Sequence, residues 1–140
     1  MPLELHSLRR SVDVLGRSVA LAGSAEKMAA LDADVREAVR SGVIQNFEVA
    51  YELCWKFMKR WLEVNVGSAE VDGVTRRELF RVATENRLIT DVDLWMEFHE
   101  SRNESSHIYD EQTAENVFGD AKRFLVEAKS LIAVLEARND

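Results

Sequence analysis

The sequence predicts an all-α, up-and-down helical bundle of about five helices, and three observations carry that prediction. Apolar residues recur at three- and four-residue steps through most of the chain. Alternating apolar and polar residues never persist, and the one hairpin-type dipeptide, Asp72-Gly73, has no alternating run on either side. Capping residues stand at the boundaries of the periodic segments.

The elements follow in order. Leu5, Leu8, Val12, Leu15, Val19 and Ala22 form one stripe and predict a first helix over about 3–22. It breaks at Gly23-Ser24, and Asp32 starts the second, over about 32–65. That helix carries Ile44, Phe47, Tyr51, Cys54, Met58 and Trp61, with Val43, Ala50, Leu53 and Phe57 widening the apolar arc. An arc this wide faces several neighbours or a second copy of the chain, so a homodimer is expected. Gly67, Ser68 and Gly73 mark a loop. Thr75 and Glu78 have capping-box spacing and open a helix through about Arg87. Thr90 with Asp93 opens a fourth, over about 91–106. Asp110 caps the last, over 111–137, with Glu111 in its first turn where the helix dipole favours it. Ala114, Val117, Ala121, Phe124, Ala128, Leu131 and Leu135 are its core stripe. With no repeat or linker, residues 1–140 read as one domain.

Composition narrows the function. A chain of 140 residues can hide roughly two thirds of its unfolded surface in a core. No apolar run approaches the roughly 18–20 residues of a membrane span. The first residues, Met1-Pro2-Leu3-Glu4, do not read as a signal peptide, so a cytoplasmic location is expected. One cysteine, Cys54, excludes an internal disulfide and any multi-cysteine metal site. A net charge of −7 argues against broad affinity for nucleic acid, but not against a local basic site. Arg76, Arg77, Arg81 and Arg87 could supply local positive charge.

Reactive side chains concentrate in Arg102-Asn103-Glu104-Ser105-Ser106-His107-Ile108-Tyr109. A guanidinium, an imidazole, hydroxyls and a phenol gather at one predicted helix end, a set able to grip a phosphate and move a proton. The stripe Leu94, Phe98, Ser101, Ser105 turns from apolar to small and polar, and Trp95, His99, Arg102, Ser106 runs beside it. On an ideal helix Arg102 and His107 point about 140° apart, so they converge only if the helix loosens near Ser105-Ser106 or if two copies face each other. Asn103, four residues before His107, could hydrogen-bond its ring and fix a tautomer. The competing reading is a helix C-terminus decorated with cations that suit its dipole. His6, His99 and His107 are too widely spaced for a familiar metal motif, so no metal and no cofactor is expected. On the second helix, Glu52 can pair with Lys56. Glu48 lacks a partner at four residues and is either a solvated edge or a group that orients Arg102 or His107.

The blocks Gly42-Val43-Ile44-Gln45-Asn46-Phe47-Glu48 and Tyr51-Glu52-Leu53-Cys54-Trp55-Lys56 resemble the nucleotidyltransferase substrate-binding family. So does Trp95 through Asp110, ending in Arg-Asn-x-x-Ser-His-x-Tyr-Asp. That family belongs to the HEPN superfamily and is close to the HepT-like toxins. The resemblance implies a HEPN-like helical bundle that dimerises, and a minimal nucleotidyltransferase as partner. By resemblance to HepT, Arg102 and His107 would be a metal-independent ribonuclease pair acting on RNA, and Tyr109 the residue the partner adenylylates. Asn103, Ser106 and Glu48 would support them. The alternative it implies is a non-catalytic substrate-binding subunit of the nucleotidyltransferase.

Overall fold

A computed structural model describes residues 2–107 and 109–139; Met1, Ile108 and Asp140 lie outside it. The described residues form six α-helices: α1 (His6–Ala22), α2 (Ala25–Ala29), α3 (Ala33–Asn65), α4 (Arg76–Glu85), α5 (Val92–Glu104) and α6 (Glu111–Ala137). Single 3-10 turns cover Ser68–Glu70 and Ser105–His107, and no strand occurs among the described residues. The all-α class is as predicted. The sixth helix is a single extra turn, α2, inside the segment read as a break. Ser24 makes it by accepting a hydrogen bond from the Lys27 N–H at 3.2 Å.

Three predicted caps act as such. Asp32 accepts from the Val35 N–H at 2.9 Å, Thr75 from the Glu78 N–H at 3.1 Å, and Asp110 from the Gln112 N–H at 3.2 Å. The fourth is corrected by one residue: Asp91, not Thr90, caps α5, accepting from the Leu94 N–H at 3.0 Å. Its extended backbone aims a short carboxylate at that orphan donor. Helix α4 stops at Glu85, two residues before the predicted end, because Arg87 adopts a left-handed φ of 61° and the Leu88 N–H folds back to the Ala83 carbonyl.

Helices α1, α3, α5 and α6 bury their stripes against one another. At the centre Phe124 of α6 stands edge-on to Phe47 of α3 and to Trp95 and Phe98 of α5, with centroids 5.3, 5.7 and 5.4 Å away. Most of the wide apolar arc of α3 is buried within this one chain, including Phe47, Ala50, Tyr51, Cys54, Phe57, Met58, Trp61 and Leu62, while Leu53 stays partly exposed beside exposed Val49. The chain ends are clasped, since Asn139 accepts from the Leu3 N–H at 2.7 Å and donates to the Leu3 carbonyl at 3.0 Å. Among the described residues no helix is long and apolar enough to cross a membrane.

Candidate functional site

Two polar helix faces meet at the reactive cluster. On α3, Glu48, Tyr51, Glu52 and Trp55 lie at offsets of three, four and seven residues, which is one helical face. On α5 and the turn after it, His99, Arg102, Asn103 and Ser106 repeat the same offsets. Packing of α3 against α5 brings the stripes together.

Arg102 is the hub. Its Nη1 donates to Glu48 Oε2 at 2.8 Å, and its Nε stands 3.5 Å from Glu52 Oε1, close enough for charge attraction but not aligned as a hydrogen bond. Ser105, buried, donates to the same Glu48 oxygen at 2.9 Å. Glu48 is therefore no solvated edge; it orients the guanidinium from across the bundle. Glu52 turns from Lys56 to accept from the Trp55 indole N–H at 3.0 Å. The Arg102 and Glu48 side chains are only 32% and 29% exposed, so their pairing is screened less than that of surface ions. Nη2 of Arg102 has no hydrogen-bond partner among the described residues.

His107 is placed differently. The α-helix ends at Glu104 and the chain tightens into the Ser105–His107 turn, which leaves His107 exposed. No hydrogen bond among the described residues joins it to Arg102. Its neighbour is Tyr109, whose hydroxyl lies 3.4 Å from His107 Nδ1 with the rings edge to face. Tyr109 is 85% exposed, whereas Tyr51 is fully buried. Ser106 is exposed and turns its hydroxyl back to the Asn103 carbonyl at 3.3 Å.

The expected Asn103–His107 bond is not formed. The 3-10 winding breaks the four-residue register toward His107, and Asn103 Nδ2 instead stands 3.4 Å from Nε2 of His99, one turn back. His99 in turn bonds Tyr51, with Nδ1 and the phenol oxygen 2.8 Å apart. Sequence reasoning left this histidine and tyrosine out of the site; the signal was their shared offset pattern. Burial first, and then the charge of Arg76, lowers the His99 pKa, against the pull of Glu52 and Glu100. Burial raises that of Tyr51, against Arg76, so the phenol stays protonated.

Residues 3–137 match the family described as nucleotidyltransferase substrate binding protein like. The chain belongs to this family. Among its relatives is a Haemophilus influenzae protein named "Probable ribonuclease HepT", 33% identical over 106 residues, covering 75% of this chain and 73% of that one. A solved structure from H. influenzae, described as the fold of a substrate binding domain of a nucleotidyltransferase, superposes with a TM-score of 0.91 at 28% identity over 95% of this chain and 99% of that one. A Thermus thermophilus crystal structure shares the fold, with a TM-score of 0.72 at 22% identity over 91% and 98% of the two chains.

In this nucleotidyltransferase substrate-binding family member, charge is distributed unevenly about α5. Another flank, against α6, is a groove of about 310 Å³ lined by Glu97, Glu100, Glu104 and Asp120 together with Arg123, unsuited to a phosphate. Of the four arginines read as a local basic patch, Arg77 is paired with Asp93, and Arg81 with Glu78 and Glu85. Arg76 remains beside the site, its guanidinium carbon 3.5 Å from the Trp55 ring centroid. Among the described residues no three His, Cys, Asp or Glu side chains gather as a possible metal-ligand set.

Proposed function

We propose that this chain is the HEPN-type subunit of a two-component module, a ribonuclease toxin whose partner, a minimal nucleotidyltransferase, silences it by adenylylating Tyr109. Arg102 binds the scissile phosphate through its free nitrogen and stabilises the charge that develops there. The ribose 2′-oxygen attacks the neighbouring phosphorus and the 5′-oxygen leaves, giving a cyclic phosphate and a free hydroxyl. His107 takes the proton from the attacking hydroxyl or gives one to the leaving oxygen. No hydrogen bond among the described residues joins Arg102 to His107, and in this reading a homodimer would complete the cleft with His107 of a second copy. The name of the H. influenzae relative supports the ribonuclease part.

The observation that carries the silencing part is the Tyr109 hydroxyl, exposed and 3.4 Å from His107 Nδ1. For adenylylation the phenol oxygen attacks the α-phosphorus of ATP, pyrophosphate leaves and the phenol proton passes to solvent. The new phosphate then sits on the imidazole that RNA needs. Tyr51, the only other tyrosine, is buried and offers no such access.

RNA cleavage by the purified protein should survive EDTA, and His107→Ala and Arg102→Ala should each lower it by about 10²- to 10⁴-fold. Residual cleavage equal in all three proteins would mean a contaminant and a wrong assignment. After co-expression with the nucleotidyltransferase and ATP, intact mass should rise by AMP on wild type but not on Tyr109→Phe, which should stay active. AMP found on any other residue would overturn the Tyr109 assignment.

A second reading is a non-catalytic substrate-binding subunit. The solved H. influenzae relative's description and the two carboxylates already holding Arg102 favour it. Under it, RNA would neither bind nor be cut, while the nucleotidyltransferase would still co-purify.

A further inference from the structure

Tyr51, His99 and Asn103 form a chain of side chains from the buried core to the rim of the site, and the donor inventory gives it a direction. The Tyr51 side chain is buried, and its hydroxyl's one hydrogen-bond partner among the described residues is Nδ1 of His99, 2.8 Å away. A buried O–H left without an acceptor costs more than an oxygen lone pair left without a donor, so the phenol donates to Nδ1. Nδ1 is then an acceptor, so the neutral imidazole carries its hydrogen on Nε2. Nε2 faces Asn103, where two N–H groups cannot bond each other. A half-turn of the carboxamide about its last side-chain bond places Oδ1 on the Nε2–H and turns the NH2 away from His99. Asn103 is exposed there and is next in sequence to Arg102.

We propose that Tyr51 and His99 are positioning residues of the Arg102 site, holding Asn103 so that its NH2 donates to a phosphodiester oxygen of RNA bound at Arg102. The inference rests on the ribonuclease reading and names two residues that touch no substrate. Its logic is preorganisation: a carboxamide free to rotate would present its oxygen to the phosphate half of the time, whereas this chain presents the donor. Protonating His99 would set an Nδ1–H against the phenol hydrogen and break the chain. The charged groups around the ring are Glu52 on α3, Arg76 on α4 and Glu100 on α5 itself, with Arg76 and burial outweighing the carboxylates.

The test uses full-length protein and two readouts. Long-range ¹⁵N–¹H spectra report the His99 tautomer without any RNA, and Nε2–H is expected at neutral pH. Fluorescence anisotropy with a short single-stranded RNA, 2′-O-methylated to block cleavage, reports binding. Asn103→Ala and His99→Leu should weaken binding roughly tenfold, the worth of one charge-assisted hydrogen bond. His99→Gln, whose amide N–H can reach the Nε2 position, should restore most of it. Tyr51→Phe should shift the tautomer toward Nδ1–H and weaken binding, with circular dichroism confirming that each variant is folded. An Nδ1–H tautomer in wild type overturns the proposal. So does wild-type binding by folded His99→Leu and Tyr51→Phe when Arg102→Ala binds poorly. If Arg102→Ala also binds as wild type, the ribonuclease reading itself has failed and takes the positioning role with it, and that pattern is distinct from the other two.

Discussion

His99 shows how one residue's surroundings set its chemistry. Its ring is half-buried and near the Arg76 guanidinium, and both favour the neutral form. Its folded pKa therefore lies below the usual value of about 6.5. In the window between the two, the unfolded chain binds a proton that the folded chain refuses. Stability is thus full above about pH 6.5 and falls as the pH drops through that window. Melting temperatures taken from roughly pH 8 to 5.5 should decline more steeply for wild type than for His99→Gln, which has no group to titrate there. Equal slopes would remove His99 as the source. Arg102 illustrates another case, a guanidinium held by two carboxylates on another helix.

At the scale of elements, the site depends on where two helices stop and start. Helix α5 ends at Glu104, and the tight turn after it takes His107 away from Asn103's register. Helix α6 begins at Glu111 because Asp110 accepts from the Gln112 N–H and from the Thr113 hydroxyl, at 3.2 and 3.1 Å. That cap directly follows Tyr109, so it anchors the turn presenting the tyrosine. Asp110→Ala should cost about 0.5–2 kcal/mol, read as a lower urea midpoint with an unchanged slope. Under the proposed silencing, it should also slow adenylylation of Tyr109 by the nucleotidyltransferase. A midpoint within error of wild type would mean that water replaces the cap without loss.

At the scale of the whole molecule, one aromatic cluster sets the relation of the two site-bearing helices. Phe124 touches Phe47 and Tyr51 on α3 and Trp95 and Phe98 on α5. Its truncation opens a cavity between the helices that carry Glu48 and Arg102. Phe124→Ala should destabilise by about 3–5 kcal/mol in urea unfolding. A loss under about 1 kcal/mol would show that the neighbouring rings collapse into the space. The same cluster reaches the site through Tyr51, whose ring packs in the core while its hydroxyl bonds His99.

Features that depend on near neighbours were already determined in the linear string. The all-α class follows from periodicity, and the caps Asp32, Thr75 and Asp110 act over two or three residues, so both are legible there. Arg102, Asn103, His107 and Tyr109 could be singled out there too, because they lie together along the chain. Which groups meet was settled only by packing in three dimensions. Glu48 and Arg102 are 54 residues apart, and Tyr51 and His99 are 48 apart. Neither pairing follows from local propensity. Each depends on how α3 crosses α5, and that crossing is the summed result of many buried side chains, Phe124 central among them. For the same reason Asn103 answers to His99 rather than His107, and of two tyrosines one lies in the core while the other faces solvent.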